Sequence, residues 1–253
     1  MEEFEVVDDR VPAPLLADYN VAPTKEVYAV LERPPRHEEG TVVPPERQLR
    51  VLTWGLVPSW AKDPSIGNRM INARVETVAE KPAYRKAFAA RRCLLPADGY
   101  YEWYVTEQVT SKGRPVKQPF FIRPADGGVL AMAGLYEIWR DPARDQDDPD
   151  RFRWTCTVLT TTAEDAVGHI HDRMPLMVER DRWADWLDPR VPGSLDLLVP
   201  AAPGALEAYP VSSLVSNVRN NGPELVEPVP AEGGTEAYEV GADGQDTLFG
   251  GDA

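Results

Sequence analysis

Glu102 sits inside an aromatic run, Asp98-Gly99-Tyr100-Tyr101-Glu102-Trp103. A carboxyl enclosed by rings is pushed toward a higher pKa, which suits it to proton transfer near neutral pH; the competing use of such an acid is a structural salt bridge. His169-Ile170-His171-Asp172-Arg173 supplies a second proton-carrying group. In an extended segment alternation sets His169 and His171 on one face, and Asp172 or Arg173 is placed to orient a ring. Two histidines at this spacing invite a metal, but no third ligand of suitable type lies near in sequence, so none is expected. Ile71-Asn72-Ala73-Arg74-Val75-Glu76 also alternates, and as a strand it would bring Asn72, Arg74 and Glu76 to one face. An amide beside a guanidinium is suited to a phosphate and an adjacent polar atom. Trp54 and Trp60 flank a bend, Gly55-Leu56-Val57-Pro58-Ser59. They serve either as core packing or as stacking faces for unpaired bases, each worth about 1–3 kcal/mol.

Charge is unevenly placed among these groups. The chain of 253 residues has 27 basic and 41 acidic side chains, a net charge of −14, which argues against a general nucleic-acid binder. Yet from Arg47 to Arg123 there are 14 Lys and Arg against 6 Asp and Glu, leaving 13 against 35 elsewhere. A basic middle within an acidic protein can hold a polyanion on one face while the remainder repels nonspecific contact; ordinary solvated side chains are the alternative. No run approaches the roughly 18 apolar residues of a membrane-spanning helix. No secretion signal is visible either, so the expected location is the cytoplasm. Cys93 and Cys156 lie far apart and read as buried thiols.

The elements that must position these side chains are mostly strands. Val27 to Leu31, Gln48 to Trp54, Pro119 to Ile122, Val129 to Gly134 and Phe152 to Thr161 are β-branched or aromatic runs bounded by turn residues. Pro82 to Ala90 is the clearest helix, with Pro in its first turn and Tyr84, Ala87 and Phe88 on one face. Asp181 to Leu187 is another, with Asp181 as N-cap and Trp183 and Trp186 facing a sheet. Asp141 to Asp150 reads as an exposed loop. Strands dominate without strict alternation with helices, which predicts an α+β single domain around a mainly antiparallel, barrel-like sheet with flanking helices. The domain should span 1–226, followed by an acidic disordered tail, 227–253, that holds no Lys or Arg.

In order along the chain, Asn20-Val21-Ala22-Pro23-Thr24, Trp54 through Trp60, Asn72-Ala73-Arg74, Pro96 through Trp103, Ala133-Gly134-Leu135, His171 through Pro175 and Tyr209-Pro210-Val211-Ser212 together resemble the SOS response-associated peptidase family, also called abasic site processing proteins. The resemblance implies covalent capture of abasic sites in single-stranded DNA. An N-terminal Cys, exposed once the initiator Met is removed, condenses through its amine and thiol with the ring-opened sugar to give a thiazolidine. It further implies that Asn72 positions the nucleophile, Arg74 binds a flanking phosphate, Glu102 assists ring opening and Schiff-base formation, and His171 transfers protons and supports release. Thr160 would contact the same pocket, and Trp60 and Pro23 would meet the bases beside the lesion. No cofactor is called for.

Two features stand apart from that pattern. Family members begin Met-Cys-Gly-Arg, whereas this sequence reads Met1-Glu2-Glu3-Phe4-Glu5-Val6, which resembles the end of the helix after the family's first strand. About 15 to 20 family residues are therefore expected to be missing, through a misassigned start codon, a truncation or true loss, with a misassigned start favoured because Asn72, Glu102 and His171 are intact. Gln245-Asp246-Thr247-Leu248-Phe249 resembles the peptide by which bacterial repair proteins dock on the replicative sliding clamp, through Gln245, Leu248 and Phe249. A noncatalytic single-strand binder tethered to the clamp is the rival reading. A peptidase using Cys93 or Cys156 with His171 is a further one.

Overall fold

In the computed structural model the described residues are 2–34, 43–163, 170–198, 200–202 and 204–230. A short β1 (Asp8–Asp9) pairs in parallel with β3 (Glu46–Trp54), which is antiparallel to β2 (Glu26–Arg33). From there the sheet continues through antiparallel pairs from β2 to β5 (Arg92–Ala97), to β8 (Leu130–Arg140) and to β9 (Phe152–Thr162). The last residues of β3 then pair in parallel with β9, Thr53 with Thr155 and Trp54 with Cys156, closing the five strands into a barrel. Alternate residues of these strands, among them Leu31, Leu52, Leu95, Met132 and Tyr136, cluster inside it. Every strand expected from sequence is present, and the barrel is mainly antiparallel as anticipated.

The opposite face of the barrel wall carries Val30, Leu94, Leu135 and Leu159, too apolar to stand in water. Among the described residues it is covered by α1 (Val75–Val78), α2 (Arg85–Ala90) and α3 (Trp183–Leu187). Tyr84, Ala87 and Phe88 are buried as expected, and Trp186 packs fully buried while donating its indole N–H to the Cys93 carbonyl at 2.9 Å. Two details differ from expectation. Pro82 precedes the helix, because Lys81 O accepts from both Tyr84 and Arg85 in a preliminary turn. Asp181 caps nothing; it lies in a 3-10 turn, Arg180–Arg182, that leads into α3. Residues 2–5 close one turn, Glu5 N–H to Glu2 O at 3.1 Å, and Phe4 stacks on Trp183 at 4.7 Å between centroids.

A second sheet, β6 (Tyr100–Val109), β7 (Pro115–Pro124) and β11 (Leu206–Pro210), lies beside the barrel. The β5-to-β6 corner depends on Gly99, since a Cβ there would fall 2.6 Å from the Ile122 carbonyl oxygen and against the Phe121 ring. The loop after β8 is less exposed than its composition suggests. Asp141 is buried and paired with Arg153 at 3.5 Å, and Arg144 bridges to Asp148 at 2.9 Å. At the start of the acidic tail, Pro228 bridges Val211 and Val229 N–H bonds Pro210 O at 2.9 Å. Residues 231–253, which include Gln245, Leu248 and Phe249, lie outside those described.

Candidate functional site

The end of β9 is where the predicted site residues gather. On one edge of that end lies β4 (Asn72–Arg74), in parallel register with Asn72 beside Val158 and Arg74 beside Thr160. On the other lies β10 (Arg173–Pro175), antiparallel, with Pro175 beside Thr160 and Arg173 beside Thr162. Pleating buries Ala73 and exposes Asn72 and Arg74 together, as the alternation predicts. Neither side chain is committed to a hydrogen bond or ion pair among the described residues. Trp54 fixes the start of β4 by donating its indole N–H to Ile71 O at 2.9 Å.

Glu76 leaves the expected face. The strand ends at Arg74 and the chain turns helical at Val75, so Glu76 falls in the first turn of α1, where a carboxylate is favoured. From there it reaches across to Arg173, whose guanidinium donates to its two oxygens at 2.6 and 3.1 Å. The same guanidinium donates to the Thr160 carbonyl at 2.6 Å and lies 3.3 Å from its hydroxyl. Thr160 is thus buried, with its oxygens occupied by Arg173. The Arg173 hydrogen bond holds the Glu76 carboxyl below its ordinary pKa despite partial desolvation.

His171 precedes β10, and the Arg173 backbone N–H donates to its Nδ1 at 3.0 Å. The same Nδ1 stands 3.3 Å from the Arg173 carbonyl oxygen, so in the tautomer with its proton on Nδ1 it faces an acceptor and Nε2 is left free to take a proton. Asp172 Oδ1 stands 3.3 Å from the same nitrogen. Arg173 therefore orients the imidazole through its backbone, while its side chain ties β10 to α1. His171 lies outside any strand, two residues before β10 begins, and His169 lies outside the described residues.

Glu102 comes within electrostatic reach of His171 because of what each is attached to. Along β6, Tyr101 and Trp103 face one way, toward Phe121, Val211 and Val215. Tyr100, Glu102 and Tyr104 face the other, and Tyr100 and Tyr104 there pack with Phe120, Ile122 and the buried Ile170. Ile170 thus anchors its neighbour His171 on the Glu102 side of the sheet. Burial raises the half-buried Glu102 carboxyl above its ordinary pKa; electrostatic interaction with His171 and the Trp103 N–H oppose that shift, and Asp172 adds to it. Among the described residues Glu102 makes no ion pair, so the salt-bridge alternative is not realised. The hydroxyl of Tyr100 is buried without a partner among the described residues, and its pKa is raised by burial and then by Glu102. Tyr100 was not singled out from sequence, although its two-residue spacing from Glu102 was the available signal.

The remaining candidates line the approaches. Trp60 is 58% exposed, which removes core packing as its role; Trp54 is partly buried and packs against the barrel interior. Pro23 is exposed on a loop held by Thr24 N–H to Trp54 O at 2.8 Å. The loop is also held by Asn20, whose buried amide Nδ2 lies 3.0, 3.2 and 3.2 Å from the carbonyls of Val215, Asn217 and Asn220. Cys93 and Cys156 are fully buried, and burial raises both thiols well out of the range where a thiolate forms near neutrality. That rules against either as a peptidase nucleophile. Among the described residues no cluster of His, Cys, Asp and Glu could hold a metal. None of their helices is long and apolar enough to cross a membrane.

Comparison with known proteins follows the same pattern. The abasic site processing protein YoqW of Bacillus subtilis is 40% identical over 212 residues, which cover 83% of this chain and 85% of that protein. YoaM of the same organism, also named an abasic site processing protein, is 40% identical, with 83% and 84% covered. Among solved structures, a protein from Bacteroides thetaiotaomicron superposes with a TM-score of 0.59 at 26% identity, covering 72% of this chain and 78% of that one. The family model described as SOS response associated peptidase (SRAP) matches residues 1–218, and the chain belongs to that family.

Proposed function

We propose that this protein processes abasic sites in single-stranded DNA, with Glu102 and His171 as its proton-transfer pair. The observation that carries the reading is Glu102: a half-buried carboxyl, free of any ion pair among the described residues, with raised pKa and within the field of an imidazole held by Arg173. An abasic deoxyribose is a cyclic hemiacetal in equilibrium with its open aldehyde. A carboxyl whose pKa is raised by burial holds its proton to higher pH than a free one and can donate to the ring oxygen as the ring opens, and the imidazole can take the hydroxyl proton. The exposed Arg74 suits a flanking phosphate, and the Asn72 amide beside it suits the sugar or the attacking nucleophile. The names carried by the relatives YoqW and YoaM support the same substrate.

The covalent step in this reading is amine attack on the C1′ aldehyde carbon. Glu102 protonates the carbonyl oxygen, water leaves, and addition of a thiol S–H across the resulting C=N bond closes a thiazolidine. Cys93 and Cys156 are too deeply buried to supply that thiol, and in this reading it is the N-terminal Cys that the family resemblance implies. Incubation with an abasic oligonucleotide followed by denaturing electrophoresis tests this. The chain starting at Met1 should give no heat-stable band, and a form extended upstream by Met-Cys-Gly-Arg and the following helix should give one. A band from the extended form that survives Glu102→Ala/His171→Ala unchanged would remove the proposed pair. Docking on the sliding clamp rests on Gln245, Leu248 and Phe249 alone; equal retention of wild type and Leu248→Ala/Phe249→Ala in a clamp pull-down would end it.

A further inference from the structure

The barrel has two ends, and the second is cationic. Where β9 begins, Trp154 is stacked on Tyr136 at 5.8 Å with 15° between the planes. The guanidinium carbons of Arg33 and Arg50 stand 5.1 and 4.3 Å from the centre of the Trp154 ring. Arg50 donates at 3.0 and 2.8 Å to the neutral Gln48 Oε1. Gln48 in turn donates to Asp8 Oδ2 at 3.1 Å, which also accepts from Arg10 at 2.8 Å. Glu46 is opposite Arg33 in register but forms no ion pair with it. Among the described residues Asp8 pairs with Arg10 and reaches Arg50 only through Gln48, and Glu26 lines the same cleft without pairing with any of the three guanidiniums. Burial lowers the Arg50 pKa, and the charges of Arg33 and Arg10 lower it further. Like charges gathered in a partly buried place raise the energy of the fold unless an anion shares the space.

The space has the shape for more than a bare ion. Two adjoining clefts of about 510 and 480 Å³ share Arg10, Arg50 and Trp154. These volumes fall within the range of small-molecule sites. Leu16, 91% exposed, lines one cleft, and Phe152, 51% exposed, lines the other, so flat apolar surface stands beside the cations. At 3.3 Å per residue, the stretch of β9 from Trp154 to Thr160 spans about 20 Å, so this end is distinct from the one that holds Glu102. We propose that the Arg33–Arg50–Trp154 end of the barrel binds a nucleoside phosphate, free or as one unit of a single strand. The phosphate bridges the two guanidiniums and the base lies against Phe152.

Calorimetric titration of the whole protein with thymidine monophosphate, inorganic phosphate and a dodecamer of deoxythymidine tests this. The dodecamer is titrated in an Arg74→Glu background, so that the Glu102 end does not contribute. Wild type should bind thymidine monophosphate saturably, and Arg33→Gln/Arg50→Gln should bind it at least tenfold more weakly. Phe152→Ala should weaken the nucleotide while leaving inorganic phosphate unchanged. Displacement of the nucleotide by the dodecamer assigns the site to a strand, and failure to displace assigns it to a free nucleotide. No saturable binding of either ligand, or equal binding by the double variant, overturns the proposal. Arg33→Gln alone serves if the double variant melts early, because the Arg33 side chain makes no hydrogen bond among the described residues.

Discussion

Arg173 grips Glu76 through two N–H···O bonds of 2.6 and 3.1 Å, and this joins the strand that follows His171 to the helix that follows Arg74. Two halves of the proposed site, separated by nearly 100 residues of chain, are thereby held in fixed relation. Glu76 is nearly half exposed, so the pair contributes little stability, about 0–1 kcal/mol. Glu76→Gln should therefore shift the melting temperature by less than about 4 °C. The rate of abasic-site capture by the extended form should fall at least tenfold, read by timed denaturing gels. Arg173→Lys should resemble it, because an ammonium cannot fork onto two oxygens.

The pH behaviour of Glu102 has a definite sign. Its carboxyl pKa is raised on folding, mainly by burial, so between the unfolded and folded values the native state binds more protons than the unfolded state. Stability therefore falls as pH rises through that window, and the full cost of the buried charge is felt above it. Glu102→Gln should raise the melting temperature at pH 7 and leave it unchanged below pH 4. Capture should drop about 100-fold or more, since a general acid has been removed. A variant that is less stable at pH 7 would contradict the assignment.

Gly99→Ala should be more damaging than its size suggests. The added methyl has no room beside Ile122 O and the Phe121 ring, so β6 must move relative to β7 and carry Glu102 with it. Overpacking of this kind costs about 1–3 kcal/mol. Both stability in urea and capture rate should fall.

Trp60→Ala should separate binding from stability. The indole is 58% exposed, so the melting temperature should hold. Affinity for an oligo-deoxythymidine strand should weaken by about 1–3 kcal/mol, the value of one lost stacking face. An unchanged affinity by fluorescence anisotropy would remove Trp60 from the interface.

Much of the site was readable where the information was local. Asn72 and Arg74 share a face because a strand alternates, and Glu102 is perturbed because its neighbours are rings. What escaped depends on contacts between distant segments. Closure of the barrel rests on two parallel pairs, Thr53 with Thr155 and Trp54 with Cys156, about a hundred residues apart, and no periodicity encodes them. Glu76 was misplaced because apolar alternation continues through Val75, while the backbone turns helical there to let α1 cover the barrel wall. Ile170 reads as an ordinary apolar residue, and only its burial with Phe120 and Ile122 brings His171 to the Glu102 side of the second sheet.

The single amide of Asn20, shared among Val215, Asn217 and Asn220, works as a latch between the opening and closing segments of the fold. Trimming the protein to its barrel would spring that latch. The Asn20 end of the loop carrying Pro23 would lose its hold, leaving only the Thr24–Trp54 tie to the barrel, and deletion mapping from the C-terminal side would report a lost contact at a residue 195 positions away.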